Sequence, residues 1–142
     1  MTEQPESAIE NRKSKVGNRK SQILIIEDNE QNLYLSTFIL EKHGHQVIAA
    51  RDGAQGIRLA QEIHPDLILL DIQLPVMDGY AVAAELRRNP ALAHTPIVAV
   101  TSYAMAGDRE RILAAGCNGY IEKPINPETF LEEVLAHLPG ST

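Results

Sequence analysis

Tryptophan is missing from this sequence, and only two phenylalanines and four tyrosines stand among its 142 residues. Any core must therefore be aliphatic, assembled from Leu, Ile, Val and Ala rather than around large aromatic anchors. Cysteine occurs once, as Cys117, which excludes an intrachain disulfide and a cysteine zinc site. In the run AAGCNGY it reads as a small packing residue. No apolar run approaches the ~20 residues of a membrane-spanning helix, and the N-terminus lacks the apolar stretch of a secretory signal. These absences point to a reduced, cytoplasmic protein with no membrane contact. Neither G-x-G-x-x-G nor G-x-x-x-x-G-K-[ST] follows the first apolar run, which argues against a nucleotide-binding domain.

Positive charge is scarce once the first residues are set aside. Residues 1–21 carry five basic residues (Arg12, Lys13, Lys15, Arg19 and Lys20) against three acids, and the remainder carries eight against sixteen. A mildly basic arm thus precedes an acidic globule, a poor candidate for direct nucleic-acid binding, which depends on neutralising phosphates. The arm is rich in Ser, Asn, Lys and Glu, repeats NRKS at 11–14 and 18–21, and reads as a disordered, solvated leader. The expected division is an arm at 1–21, one domain at 22–139 and a tail at 140–142. The five histidines, His43, His45, His64, His94 and His137, lie far apart without metal-ligand spacing and read as solvated side chains.

What is present is a regular alternation. Apolar runs at 23–26, 47–50, 67–70, 97–100 and around 120–121 read as strands covered on both faces. Between them lie amphipathic stretches: 31–43 stopped by Gly44, one capped by Asp52, one capped by Asp78, 105–115 stopped by Gly116, and 127–138. Leu35, Phe38 and Ile39 are expected on the buried face of the first. Five strands alternating with five helices imply an α/β, doubly wound parallel sheet with right-handed crossovers and helices on both faces.

In such a sheet every carboxyl end lies along one edge, where ligands bind. That edge collects Glu27 and Asp28 after the first strand, Asp71 after the third, Thr101 and Ser102 after the fourth, and Lys123 and Pro124 after the fifth. The second strand offers Arg51 and Asp52. Each has an ordinary account taken singly: Asp28 capping a helix, Asp71 bonding loop amides, Thr101 satisfying a turn, Lys123 solvated. Together they place three carboxylates, a hydroxyl and an ammonium at one edge. Gathered carboxylates repel unless a cation is present, and an all-oxygen set suits Mg2+, with Mn2+ as an alternative. A metal, a lysine and a hydroxyl around one aspartate are the ingredients of phosphoryl transfer, with Asp71 as a nucleophile forming an acyl phosphate.

Four segments carry a family resemblance: IIEDN at 25–29, LLDIQLPVMDG at 69–79, VTSYAMAGD at 100–108 and GYIEKP at 119–124. Thirty residues separate Asp71 from Thr101, and twenty-two separate Thr101 from Lys123. In these the chain resembles the receiver domains of bacterial two-component response regulators, over residues 22–138. The wording of EDN and YAMAGD is similar to single-domain cell-division regulators and to receivers of hybrid kinases. The resemblance implies a flavodoxin-like strand order 2-1-3-4-5 and phosphorylation of Asp71 by a histidine kinase or histidine phosphotransfer protein. It implies Mg2+ held by Asp28 directly, by Glu27 through water, by Asp71 and by the backbone carbonyl of Gln73. It also implies that Thr101 swings to the phosphoryl oxygens, that Lys123 pairs with them, that the Lys123–Pro124 peptide is cis, and that Tyr120 turns inward as Thr101 moves. Where many relatives have Asp-Asp this chain has Glu27-Asp28, and Leu74 replaces a common Met; neither change removes a needed group.

The changed surface is expected on the fourth helix, fifth strand and fifth helix, including Tyr103, Met105, Arg109, Tyr120 and Glu122. It would meet a downstream protein target, since no effector domain is expected after Leu138. Gln73 and Tyr103 should flank the phosphoryl group, and a bulky Tyr103 either screens attacking water, slowing self-dephosphorylation, or contacts the partner. The chain is expected to be a monomer or weak homodimer, not an enzyme beyond its own phosphorylation and slow dephosphorylation. Two other readings follow from the same residues: a receiver-like binding module that is not phosphorylated, and a Mg2+-dependent aspartyl phosphatase. The latter would normally need a second acid near Asp71 and a cap over the substrate, and Gln73 and the short loops supply neither.

Overall fold

The computed structural model describes residues 21–139; the basic arm and the terminal tail lie outside the described residues. Strands and helices alternate throughout: β1 (Gln22–Ile26), α1 (Glu30–Lys42), β2 (Gln46–Ala50), α2 (Gly53–Ile63), β3 (Leu67–Asp71), α3 (Gly79–Arg87), β4 (Ile97–Thr101), α4 (Ala106–Ala114), β5 (Gly119–Glu122) and α5 (Phe130–Leu135). A 3-10 turn at Pro90–Leu92 precedes β4. The strands form one sheet in the order β2-β1-β3-β4-β5, every pairing parallel. The expected fold class and order both hold.

Side chains alternate across a pleated strand, and two cores result. Leu24, Ile26, Ile68, Leu70, Ile97 and Ala99 point to one face, where they meet Ala60 of α2, Val82, Ala83 and Leu86 of α3, and Ile112 of α4. Ile23, Ile25, Leu67, Leu69, Val98 and Val100 point to the other, against Leu33, Ile39 and Leu40 of α1 and Phe130 and Val134 of α5. All five residues of β3 and of β4 are buried, as unbroken apolar runs in central parallel strands require.

Two sequence expectations about helices are corrected. Phe38 does not join the core: it is exposed and stacks on Tyr34 with Lys42 above its ring, because Leu33, Ile39 and Leu40 already fill the buried stripe of α1. And α5 is shorter than expected, since residues 127–129 form a turn before Phe130.

The far end of the α3–α4 side is fastened by one guanidinium. Arg87 donates to the Gly116 carbonyl at 2.9 Å, the Leu92 carbonyl at 2.8 Å and Asn118 Oδ1 at 2.8 Å. Gly116 stops α4 with φ at +110°, a conformation that favours glycine. Cys117 lies next to it, buried, with its thiol pushed up to about 11 by burial, Arg87 acting the other way.

Candidate functional site

The site forms where β1, β3, β4 and β5 leave the sheet. Asp71 ends β3 and is 3% exposed. Its position is set from behind by Gly79, the first residue of α3, whose N–H donates to the Ile72 carbonyl at 2.9 Å. A side chain at Gly79 would run into the Ile72 backbone and lie 2.7 Å from the Asp71 carbonyl oxygen. Only glycine lets α3 start this close to the end of β3. In front, the Gln73 N–H donates to Asp71 Oδ1 at 2.8 Å.

Glu27 and Asp28 follow β1 directly and differ in burial: Glu27 is 4% exposed, while Asp28 is exposed. Asp28 does not cap α1, the ordinary role it was open to. Asn29 takes that role, accepting the Asn32 N–H at 2.9 Å, and its own N–H donates to Glu27 Oε2 at 3.2 Å. Lys123, just beyond β5, is not solvated either. Its ammonium reaches between the two buried acids, 3.3 Å from Glu27 Oε1 and 3.4 Å from Asp71 Oδ2. The Lys123–Pro124 peptide is cis.

One ammonium is too little charge for this cluster. Glu27, Asp28 and Asp71 each offer a carboxylate oxygen within 4.8 Å of the others. Burial first, and then the hydrogen bond and charge of Asp71, raise the Glu27 carboxyl to about 7, with Lys123 pulling the other way. A group held half-protonated near neutrality marks a shortage of positive charge. A hard divalent cation with oxygen preference fits that deficit and that donor set. The cluster opens into a cleft whose wall also includes Asn29, Glu30, Asn32, Gln73 and Ser102. Glu30 and Asn32 were not anticipated; the signal for them was that the first turn of α1 begins at the same sheet edge. Glu30 is ion-paired with Arg51, the residue that β2 contributes to the same end of the sheet.

Thr101 is fully buried and turned to its own loop: its hydroxyl accepts the Tyr103 N–H at 2.9 Å and donates to the Tyr103 carbonyl at 3.3 Å. The ordinary account, satisfying a turn, thus describes it in this state. Gln73 reaches the other way across the cleft, its Oε1 accepting the Ser102 N–H at 2.9 Å. Tyr120 is half-buried against the α2–α4 core, with the Arg109 guanidinium 5.3 Å from its ring centre. Arg109 also donates to the Ala104 carbonyl at 2.8 Å. Tyr103 and Met105 are 60% and 76% exposed on the same flank, where Glu122 is exposed as well. The structure therefore brings Glu27, Asp28, Asp71, Gln73 and Lys123 to one cleft, and leaves Tyr103, Met105, Arg109 and Tyr120 beside it on the α4 flank.

Comparison with known proteins agrees with this geometry. A family model described as the response regulator receiver domain matches residues 23–135. The chain is 45% identical over 116 residues to the polar-differentiation response regulator DivK of Brucella ovis, covering 82% of this chain and 94% of that protein. Among solved structures, the receiver domain of sensor histidine kinase PA1611 from Pseudomonas aeruginosa PAO1, which has a magnesium ion coordinated in its active site cleft, is 35% identical with a TM-score of 0.77, covering 84% of this chain and 98% of that one. The chemotaxis response regulator CheY4 of Vibrio cholerae is 28% identical with a TM-score of 0.81, covering 84% and 100%. A family model spanning all five helices and every strand residue but Gln22, joined to this level of identity with a whole relative, means that the chain belongs to the response regulator receiver domain family.

Proposed function

We propose that this receiver works as a Mg2+-dependent phosphoacceptor in a phosphorelay, with Asp71 as the acceptor. The observation that carries the reading is the shared ammonium of Lys123 between buried Glu27 and Asp71, with Asp28 closing a charge-deficient cluster. Glu27, Asp28, Asp71 and the Gln73 carbonyl are the residues that would hold the ion. When bound, Mg2+ supplies charge neutralisation to the carboxylates and the incoming phosphoryl oxygens.

The chain's own groups do the rest. An Asp71 carboxylate oxygen forms a bond to phosphorus as the P–N bond of a phosphohistidine breaks; the imidazole nitrogen keeps the electron pair and takes a proton. Lys123 meets the new negative charge, and Thr101 exchanges the Tyr103 backbone for a phosphoryl oxygen. Tyr120 then turns inward, and the α4–β5–α5 face (Tyr103, Met105, Arg109, Tyr120, Glu122) changes for a downstream protein. Tyr103, next in the chain to Ser102 on the cleft wall, either shields the acyl phosphate from water or contacts the partner. The kinase or phosphotransfer partner and the target are proteins, the compartment is the cytoplasm, residues 22–139 act as one unit, and any dimer is weak. Position 73 carries an amide already engaged by Ser102 rather than an acid, which disfavours the aspartyl phosphatase reading.

Intact-protein mass after incubation with acetyl phosphate and Mg2+ tests this. The expected result is one added phosphoryl group, absent in Asp71→Asn and in EDTA. No addition with either acetyl phosphate or a phosphorylated histidine phosphotransfer protein would leave the chain as a binding module of receiver shape.

A further inference from the structure

The donors that a group on Asp71 needs are already engaged. Asp71 pairs with Val100 in the β3–β4 register, so Ser102 stands two residues further on, just past the end of β4, on the wall of the cleft that holds the carboxylate. The N–H of Ser102 is the backbone donor there, and it is bonded at 2.9 Å to Gln73 Oε1. Gln73 is attached at both ends: its backbone N–H holds Asp71 Oδ1 at 2.8 Å, while its side chain crosses from the β3–α3 loop to the β4–α4 loop. The Thr101 hydroxyl is likewise taken, donating to the Tyr103 carbonyl at 3.3 Å. Neither bond is deeply buried, yet each has to be given up before the donor can serve a phosphoryl oxygen.

We infer that the Gln73 carboxamide is an internal stand-in for a phosphoryl oxygen. It occupies the Ser102 N–H in the unphosphorylated protein, holds the β4–α4 loop in its resting position, and competes with the phosphoryl group for that donor. The inference rests on Asp71 being the acceptor. The exchange runs in the right direction, because a hydrogen bond to an anionic oxygen is stronger than one to a neutral amide. The glutamine therefore yields once phosphate is on Asp71, but weakens the first hold on it. Removing its oxygen leaves the Ser102 N–H to water in the open cleft, so the competition is set by the net worth of one hydrogen bond. Gln73 is in this sense a positioning residue, acting through Ser102 rather than on phosphorus.

The test uses beryllofluoride as a phosphoryl mimic, at saturating Mg2+, titrated calorimetrically into the full chain. Gln73→Met keeps the length and removes the acceptor oxygen; Gln73→Glu keeps an acceptor and adds charge. Gln73→Met is expected to bind beryllofluoride about 2- to 10-fold more tightly than the wild type, the range of one net hydrogen bond, and Gln73→Glu more weakly. In the metal-free protein the Ser102 amide, followed by 15N NMR, should exchange faster with solvent in Gln73→Met than in the wild type, a readout that volume alone does not move. Equal or weaker binding by Gln73→Met, or an unchanged Ser102 amide, overturns the inference while leaving Asp71 as the acceptor. Failure of the wild type to bind beryllofluoride, or binding that survives Asp71→Asn, overturns the acceptor reading and the inference with it.

Discussion

The two walls of the cleft are built differently. On the β1–β3 wall the acidic groups emerge from central strands without an exposed residue, Leu67–Asp71 among them, and each carboxylate oxygen of Glu27 and Asp71 is fixed by a backbone amide or by Lys123. On the other wall, α4 has a single buried side chain, Ile112. Its far end is pinned through Gly116 to Arg87. Its near end, facing the site, hangs on the Met105 N–H donating to Asp108 at 3.3 Å and on Arg109 bridging Tyr120 and Ala104. Arg111 over Tyr80, at 4.1 Å, adds a second stacking contact. Chemistry needs a geometry that does not drift, whereas readout needs an element cheap to move. The contrast places rigidity under the acceptor and compliance beside it.

Substitutions should separate the walls, and the largest effect belongs to the rigid one. Leu70→Ala in β3 should lower global stability by about 2–5 kcal/mol in urea unfolding. Ile112→Ala should instead strip protection from α4 amides in hydrogen exchange well before the sheet opens. Equal loss of protection in β3 and α4 for both variants would erase the contrast.

Next comes pH. The Glu27 carboxyl lies at about 7 in the folded protein against an ordinary 4.5, so the folded state holds this proton more tightly than the unfolded chain. The stability it contributes is fully present below about 4.5 and lost as pH rises through about 7, a span on the order of a few kcal/mol. In EDTA the melting temperature should therefore fall across that window, and Glu27→Gln should flatten the fall. Added Mg2+ should raise the melting temperature more at neutral pH than at low pH, where the proton competes for Glu27.

Gly79→Ala should cost about 1–3 kcal/mol by overpacking, and should also slow phosphorylation, because the clash is with the backbone that carries Asp71. The smallest effect is on the compliant wall. Arg109→Ala should cost only about 0.5–1 kcal/mol, the worth of an exposed cation–π contact, seen as faster exchange confined to the near end of α4. A global loss of stability in this variant would mean that α4 is not loosely held.

Strand positions were legible because aliphatic runs such as Leu67–Leu70 and Ile97–Val100 are short, bounded by turn residues and repeated between amphipathic stretches, which favours covered parallel strands over buried helix. The acidic cluster was legible because such strands deliver their ends to one edge. What sequence did not give away was orientation. Glu27 and Asp28 are chemically alike neighbours on one cleft, and only the local backbone decides which is buried and which is exposed. Asn29 rather than Asp28 caps α1 since both residues cap well and the choice depends on where the helix starts. Phe38 has every apolar credential, yet the 3.6-residue period leaves it outside a stripe already filled by Leu33 and Leu40. Thr101 bonded to Tyr103, and Gln73 to Ser102, are choices of rotamer that no periodicity records.

The quiet surroundings of Cys117 have a practical consequence. A buried thiol held near 11 is almost entirely protonated at neutral pH and poorly reactive, and with no tryptophan in the chain there is little intrinsic emission to subtract. A Leu113→Cys variant, placed at the 56% exposed position on α4, would therefore take a maleimide fluorophore selectively without prior removal of the native thiol. Motion of the compliant wall could then be followed as a single clean optical signal.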